Sequence, residues 1–256
     1  MRGLIQLPKD LTMIAARYAQ LRMEPLQVRA ILGSPYLSVE KNGALNLDSI
    51  LSKAFFDALP WPTAPASVAV TVPLPLALLW VSPEGLPLWN CSQLYPWPEG
   101  KLLRGKQYWH KRYPSDRMME WSKKKNANLS AGRNKEYRVP MPALVPEPQL
   151  IHKELETPVL QAHCVGNREE IAKLLDHITH VGKKPTQGQG RVLRWEITPL
   201  SESADMTRVR IMNSRPMPAR YFLEEFGSAE VGDWVRRTFT PPYWYQPWAE
   251  LCLEAR

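Results

Sequence analysis

Proline is the residue that most restricts what this chain can fold into. The sequence holds 25 of them, clustered at Pro60–Pro65, Pro140–Pro148 and Pro241–Pro247. Each proline removes a backbone donor and fixes φ, so the clusters predict stiff connections rather than element interiors. The most apolar stretch, Val68–Val81, is interrupted by Pro73 and Pro75 and is too short to cross a membrane. Apolar residues make up 44% of the 256 positions, enough for a substantial core in one large domain or a domain with an insertion.

Between the proline clusters, hydrophobic periodicity places the elements. Leu26–Leu32 alternates apolar and polar residues and is closed by Gly33-Ser34-Pro35, which predicts a strand. Leu47, Ile50, Leu51, Ala54, Phe55 and Leu59 share one face of a helix that Asn46 or Asp48 can cap and Trp61-Pro62 ends. Leu76–Val81 and Leu86–Leu94, joined by Ser82-Pro83-Glu84-Gly85, predict a hairpin. A strand at Val159–Val165 leads into Asn167-Arg168-Glu169-Glu170, a capping box opening a helix over 168–180 with Ile171, Leu174, Leu175 and Ile178 inward. A β-prone run, Arg191–Thr198, follows. The series reads as βαββαβ, an α+β, ferredoxin-like or RRM-like domain at 25–200 with an arm (98–142) inserted between its halves. A helical extension at 1–24 precedes it, and a C-terminal extension at 201–256 packs on the domain or on a partner subunit. The aromatic tail Tyr243-Trp244-Tyr245 with Trp248 is expected to take part in that packing.

Net charge is +8, which favours a polyanionic partner, and its distribution says more than its size. Between Lys101 and Arg138 twelve bases face only Asp116, Glu120 and Glu136, leaving +9 in that segment and a nearly neutral remainder. Trp109, Tyr137 and further aromatics are interleaved with His110, Lys111, Arg112, Lys123, Lys124, Lys125, Arg133 and Arg138. Cations neutralise phosphates and release counterions while rings stack on unpaired bases, so this composition suits single-stranded nucleic acid. The alternative is a solvated lysine-rich loop with its tryptophans in a core.

A second candidate is the loop after the second helix. Gly182, Gly188 and Gly190 permit positive φ and close backbone approach, Lys183, Lys184 and Arg191 carry charge, and Gln187 and Gln189 can meet base or sugar edges. It is not a phosphate-binding Walker loop, because Gly-Lys-[Ser/Thr] is missing and the loop follows a helix. An ordinary glycine-rich turn is the competing reading.

His110 beside Lys111 and His180 beside the loop are the candidates for acid–base catalysis in a metal-independent ribonuclease; neither has a partner fixed by sequence. His177 and His180 lie three apart, but no further ligand pattern completes a metal site, and no cofactor is expected. Cys91, Cys164 and Cys252 are widely spaced without a CxxC pair, so a disulfide framework is unsupported and a reducing cytoplasm is expected.

Several stretches taken together resemble a known family. Leu32-Gly33-Ser34-Pro35 with Leu47-Asp48-Ser49-Ile50-Leu51, Tyr108-Trp109-His110-Lys111-Arg112, Glu136-Tyr137-Arg138-Val139-Pro140, Cys164-Val165-Gly166-Asn167-Arg168, and Ile178-Thr179-His180-Val181-Gly182 with Gly188-Gln189-Gly190-Arg191 occur in order. They resemble the type IV CRISPR member of the RAMP superfamily, the fifth Cas family, over about residues 25–220. Pro185 and Gln189 depart from its loop, where another base and an aromatic are common. The resemblance implies a non-catalytic subunit of a ribonucleoprotein that grips the 5′ handle of a guide RNA through the arm and loop. Its implied partners are the guide RNA, repeated backbone subunits and a large subunit, with target DNA left open. A repeat-processing endoribonuclease is the second reading.

Overall fold

The computed structural model describes residues 9–34, 45–58, 71–97, 104–107, 139–142, 159–182, 185–212, 214–227, 233–243 and 245–253. Chain order is α1 (Lys9–Ala19), β1 (Glu24–Leu32), β2 (Leu45–Asn46), α2 (Leu47–Ala58), β3 (Leu78–Val81), β4 (Pro87–Trp89) and β5 (Gln93–Trp97). Then come β6 (Arg104–Gln107), β7 (Val139–Pro142), β8 (Val159–Gly166), α3 (Arg168–Leu175) and β9 (Val192–Pro199). The C-terminal part holds α4 (Ala204–Met212), β10 (Met217–Pro218), α5 (Ala219–Phe226), β11 (Trp234–Arg237) and β12 (Glu250–Leu253). The fold is α+β with antiparallel sheets.

The main sheet has five strands in the order β2-β5-β8-β1-β9. Alternation in β1 turns Leu26, Val28, Ala30 and Leu32 inward, where they share a core with Leu51 and Phe55 of α2 and Ile171 and Leu175 of α3. Burying each of these leucines contributes about 1.5–3 kcal/mol. The row on the other face, Tyr95, Gln161, Arg29 and Glu196, is polar. There Arg29 Nε donates to Gln161 Oε1 at 2.9 Å. Helix α4 packs against β8 and β1, and the Tyr95 hydroxyl donates to the carbonyl of Ser214 just beyond it. The C-terminal part therefore covers sheet surface that β1 and β8 leave polar.

The expected hairpin forms around its turn, with Ser82 N–H donating to Leu86 O at 2.9 Å and Gly85 at φ 81°. It does not join the main sheet: β3 and β4 make a two-stranded sheet of their own. The chain bends at Cys91, whose N–H turns back to Trp89 O at 2.8 Å, and Gln93–Trp97 then enters the main sheet beside β8. Proline sits inside strands here, contrary to the expectation from its clusters. Pro96 lies where β2, paired only with Gln93 and Leu94, has already ended. Pro140 and Pro142 lie in β7 of a two-stranded ribbon. At a strand edge a proline's missing N–H can face away from the ladder, which is how sheets accommodate proline.

The helix expected over 168–180 stops at Leu175, because His177 and Ile178 bond back three residues to Leu174 and Leu175 and Thr179 O is taken by Val192 N–H. Half of its capping box forms: Asn167 Oδ1 accepts from Glu170 N–H at 3.1 Å. The reciprocal half is absent, since Asn167 N–H already donates to Pro75 O at 3.0 Å, and Glu170 pairs with Arg17 and Lys173 instead. The Arg17 pair ties α1 to α3, while Leu11 and Tyr18 of α1 enter the main core.

The second sheet, in the order β10-β12-β11, has three strands. Its core joins Met217, Tyr221, Phe239 and Cys252 to Leu86 and Leu88 around β4, so the hairpin belongs to this part of the molecule.

Candidate nucleic-acid interface

The glycine loop is closed by a short antiparallel neck. Val181 N–H donates to Gly190 O at 2.8 Å, Val192 N–H donates to Thr179 O at 2.8 Å, and His180 faces Arg191 across an isolated bridge. Gly182, Gly188 and Gly190 have φ of 77°, 76° and 67°, the left-handed region their spacing predicts. A single 3-10 turn at Pro185–Gln187 is closed by Gly188 N–H on Pro185 O at 2.9 Å.

Arg191 is held through its backbone among the described residues. Its N–H donates to Ser34 Oγ at 2.8 Å and its carbonyl accepts from Gly33 N–H at 2.8 Å, so the end of β1 anchors the loop while the guanidinium stays exposed. The His180 Nδ1 lies 3.0 Å from the Thr179 hydroxyl, and among the described residues no carboxylate pairs with this ring. Among the described residues, the buried Gln189 Oε1 has no hydrogen-bond partner. His180, Gly182, Gly188, Gln189, Gly190 and Arg191 thus come together on one loop. Lys183 and Lys184, and the Gln187 side chain, lie outside the described residues.

The arm is described only at its root. β6 and β7 pair from Arg104↔Pro142 to Gln107↔Val139, a two-stranded ribbon that brackets residues 108–138 in sequence. Trp109, His110, Lys111, Arg112, Lys123, Lys124, Lys125, Arg133, Tyr137 and Arg138 lie outside the described residues.

Sequence reasoning missed a buried polar junction between α2 and the C-terminal part. Arg215, 3% exposed, meets Asp48 Oδ2 at 3.2 Å and donates to Cys91 O at 3.1 Å and to the Phe239 carbonyl. Asp48, read from sequence as a possible cap, is fully buried, and the Tyr243 hydroxyl donates to it at 2.8 Å. Burial opposes the Arg215 charge, but the surrounding groups, Asp48 among them, outweigh it and raise its pKa. Burial pushes the Tyr243 hydroxyl well above its ordinary value, keeping it a donor. Nothing in the sequence around Arg215 signals this, because Asp48 and Tyr243 are 195 positions apart.

Residues 76–253 match the model of a protein family, CRISPR type IV associated protein Csf3. The chain belongs to the Csf3 family. No curated protein matches it. As a Csf3 protein it is a subunit of a type IV CRISPR complex, assembled with other Cas subunits. The Csf3 match spans the arm, the glycine loop and the C-terminal sheet, and it leaves β1, α2 and Asp48 outside. Among the described residues no helix is long and apolar enough to cross a membrane.

Proposed function

We propose that this chain is a non-catalytic, cytoplasmic RNA-binding subunit of the type IV complex. It captures the 5′ handle of the guide RNA and caps the row of backbone subunits next to the large subunit. The observation that carries the reading is the +9 charge of residues 101–138 in the sequence of an otherwise nearly neutral protein that belongs to the Csf3 family. The loop supports it, since its backbone is fixed while the Arg191 side chain faces solvent. The order β9-β1-β8-β5, with a helix after β1 and another after β8, supports a ferredoxin-like reading of the main sheet. In this reading the arm grips phosphates and the loop reads the shape of the strand.

The test is binding of CRISPR repeat RNA across a salt series. Replacing Lys123, Lys124 and Lys125 together by Ala should lower affinity and reduce the salt slope by about 2, roughly 0.7 per lost single-strand phosphate contact. Unchanged affinity and slope would defeat the proposal. Incubation with the same RNA in EDTA should yield no product. Cleavage abolished by His110→Ala or His180→Ala would replace it with the endoribonuclease reading.

A further inference from the structure

Four strand ends of the main sheet meet along one row. Trp97 closes β5, Val159 opens β8, Ile31 lies near the end of β1 and Arg194 near the start of β9. The register runs Trp97↔Val159, Val159↔Ile31 and Ile31↔Arg194. Both ends of the sequence that carries the basic segment are attached here, because Trp97 precedes residues 101–138 and Val159 follows them. The glycine loop enters at the same end of the sheet, with Arg191 just before β9 and its anchors Gly33 and Ser34 just after β1. Neighbouring strands are about 4.8 Å apart, so β5 and β9 are separated by about 14 Å across β8 and β1. The two candidate RNA-binding segments are therefore tethered at opposite sides of one sheet end.

Tyr95 and Trp97 show what is free there. Alternation puts both on the polar face of the sheet, in the direction of Gln161 and Arg29. The Tyr95 hydroxyl is taken by the carbonyl of Ser214, and α4 covers β8 and β1 beside it. Trp97 lies beyond that cover. It is 47% exposed and, among the described residues, makes no hydrogen bond or ring contact. Its strand is laddered to β8, so a ligand meets a ring already held in place and bears little of the cost of ordering it. The one charged side chain in the row, Arg194, is paired with Glu196 at 2.8 Å. The row thus offers ring and apolar surface rather than a seat for phosphate.

We infer that Trp97 stacks on one unpaired base of the RNA where the strand passes between the glycine loop and the basic segment. An exposed ring on a sheet face suits this, because every base has a face to stack and unpaired bases are free to present it. The inference rests on the RNA-binding reading above and adds a contact of a different kind, to a base instead of a phosphate.

The test is binding of CRISPR repeat RNA by the full chain across a salt series, with Trp97→Ala, Trp97→Leu and Trp97→Tyr. Ala and Leu should each weaken binding about tenfold and Tyr should restore most of it. The salt slope should keep its wild-type value in all three, since stacking releases no counterions. Leu retains apolar bulk at the end of β5 and replaces Ala as the test if Ala fails to fold. Where neither folds, repeat RNA carrying 4-thiouridine, photo-crosslinked to the wild-type chain, decides: attachment at Trp97 is expected, and attachment only elsewhere overturns the assignment. Wild-type affinity in Ala and Leu, with the loss on replacing Lys123, Lys124 and Lys125 intact, overturns the Trp97 contact and spares the RNA-binding reading. A loss that Tyr does not recover, or one that brings a lower salt slope, also overturns it, because Trp97 would then support the basic segment and not a base. A Trp97→Ala chain that keeps its RNA affinity but leaves the Cas complex assigns the ring to a partner subunit and overturns it as well. Absence of any RNA binding by the wild-type chain overturns both readings.

Discussion

Arg191 and Arg215 show two opposite uses of a guanidinium. Arg191 is fixed through its backbone, by Ser34 Oγ and Gly33 N–H, and its side chain is left to solvent. Arg215 is fixed through its side chain, by Asp48, the hydroxyl of Tyr243 and the carbonyls of Cys91 and Phe239. A ligand competes only for groups the protein has left unmatched. The loop arginine is therefore open to solvent, and the junction is a place that holds α2 to the C-terminal part.

The largest expected effect comes from breaking the junction. Arg215→Ala leaves the Asp48 carboxylate buried and without its cation, a loss of about 3–5 kcal/mol. Urea denaturation of the full chain measures it. Arg215→Met combined with Asp48→Leu should cost much less than the single substitution, because no orphan charge remains. If the double variant is as unstable as Arg215→Ala, packing rather than charge matching holds the two parts together, and the contrast between the two arginines loses its basis.

Alkali tests the same junction at intermediate strength. Burial, with the Asp48 charge beside it, raises the Cys91 thiol well above its ordinary 9.0, and burial raises Cys164 and Cys252 to about 12. Each group keeps its proton in the folded chain and releases it first in the unfolded chain. Its contribution to stability is thus whole below pH 9 and declines above it, by up to about 1.4 kcal/mol per pH unit for each group. Melting temperature should hold steady from neutral pH to the ordinary thiol value and then fall. Cys91→Ala should make that fall shallower, whereas an equally steep fall would mean that the thiol at the junction is not shielded.

The same contrast explains what the sequence could reveal. Leu26–Leu32, the face of α2 and the left-handed glycines of the loop are local patterns, with a period of two, a helical repeat and a residue type that permits positive φ. The separate sheet of β3 and β4 was hidden because a bend at Cys91, not a turn motif, moves the chain from one sheet to the other. β5 was hidden by Pro96, which reads as a breaker until the short reach of β2 is known. Of the candidate site, the loop glycines and Arg191 were legible, whereas Ser34, 157 positions from Arg191, was not.

The smallest effect tests whether the loop backbone is truly fixed. A Cβ added at Gly188 would meet no atom within 4 Å, so crowding contributes nothing to the cost of Gly188→Ala. Only the φ of 76° opposes it, because that conformation brings an L side chain too close to the following carbonyl oxygen. Destabilisation should be about 1 kcal/mol, and Gly188→Asn should recover part of it, since Asn tolerates the left-handed region better than Ala. No measurable cost would show that the loop relaxes to another conformation. Arg191 would then be presented by a pliable segment, and the distinction between a backbone-held and a side-chain-held arginine would fail at the loop rather than at the junction.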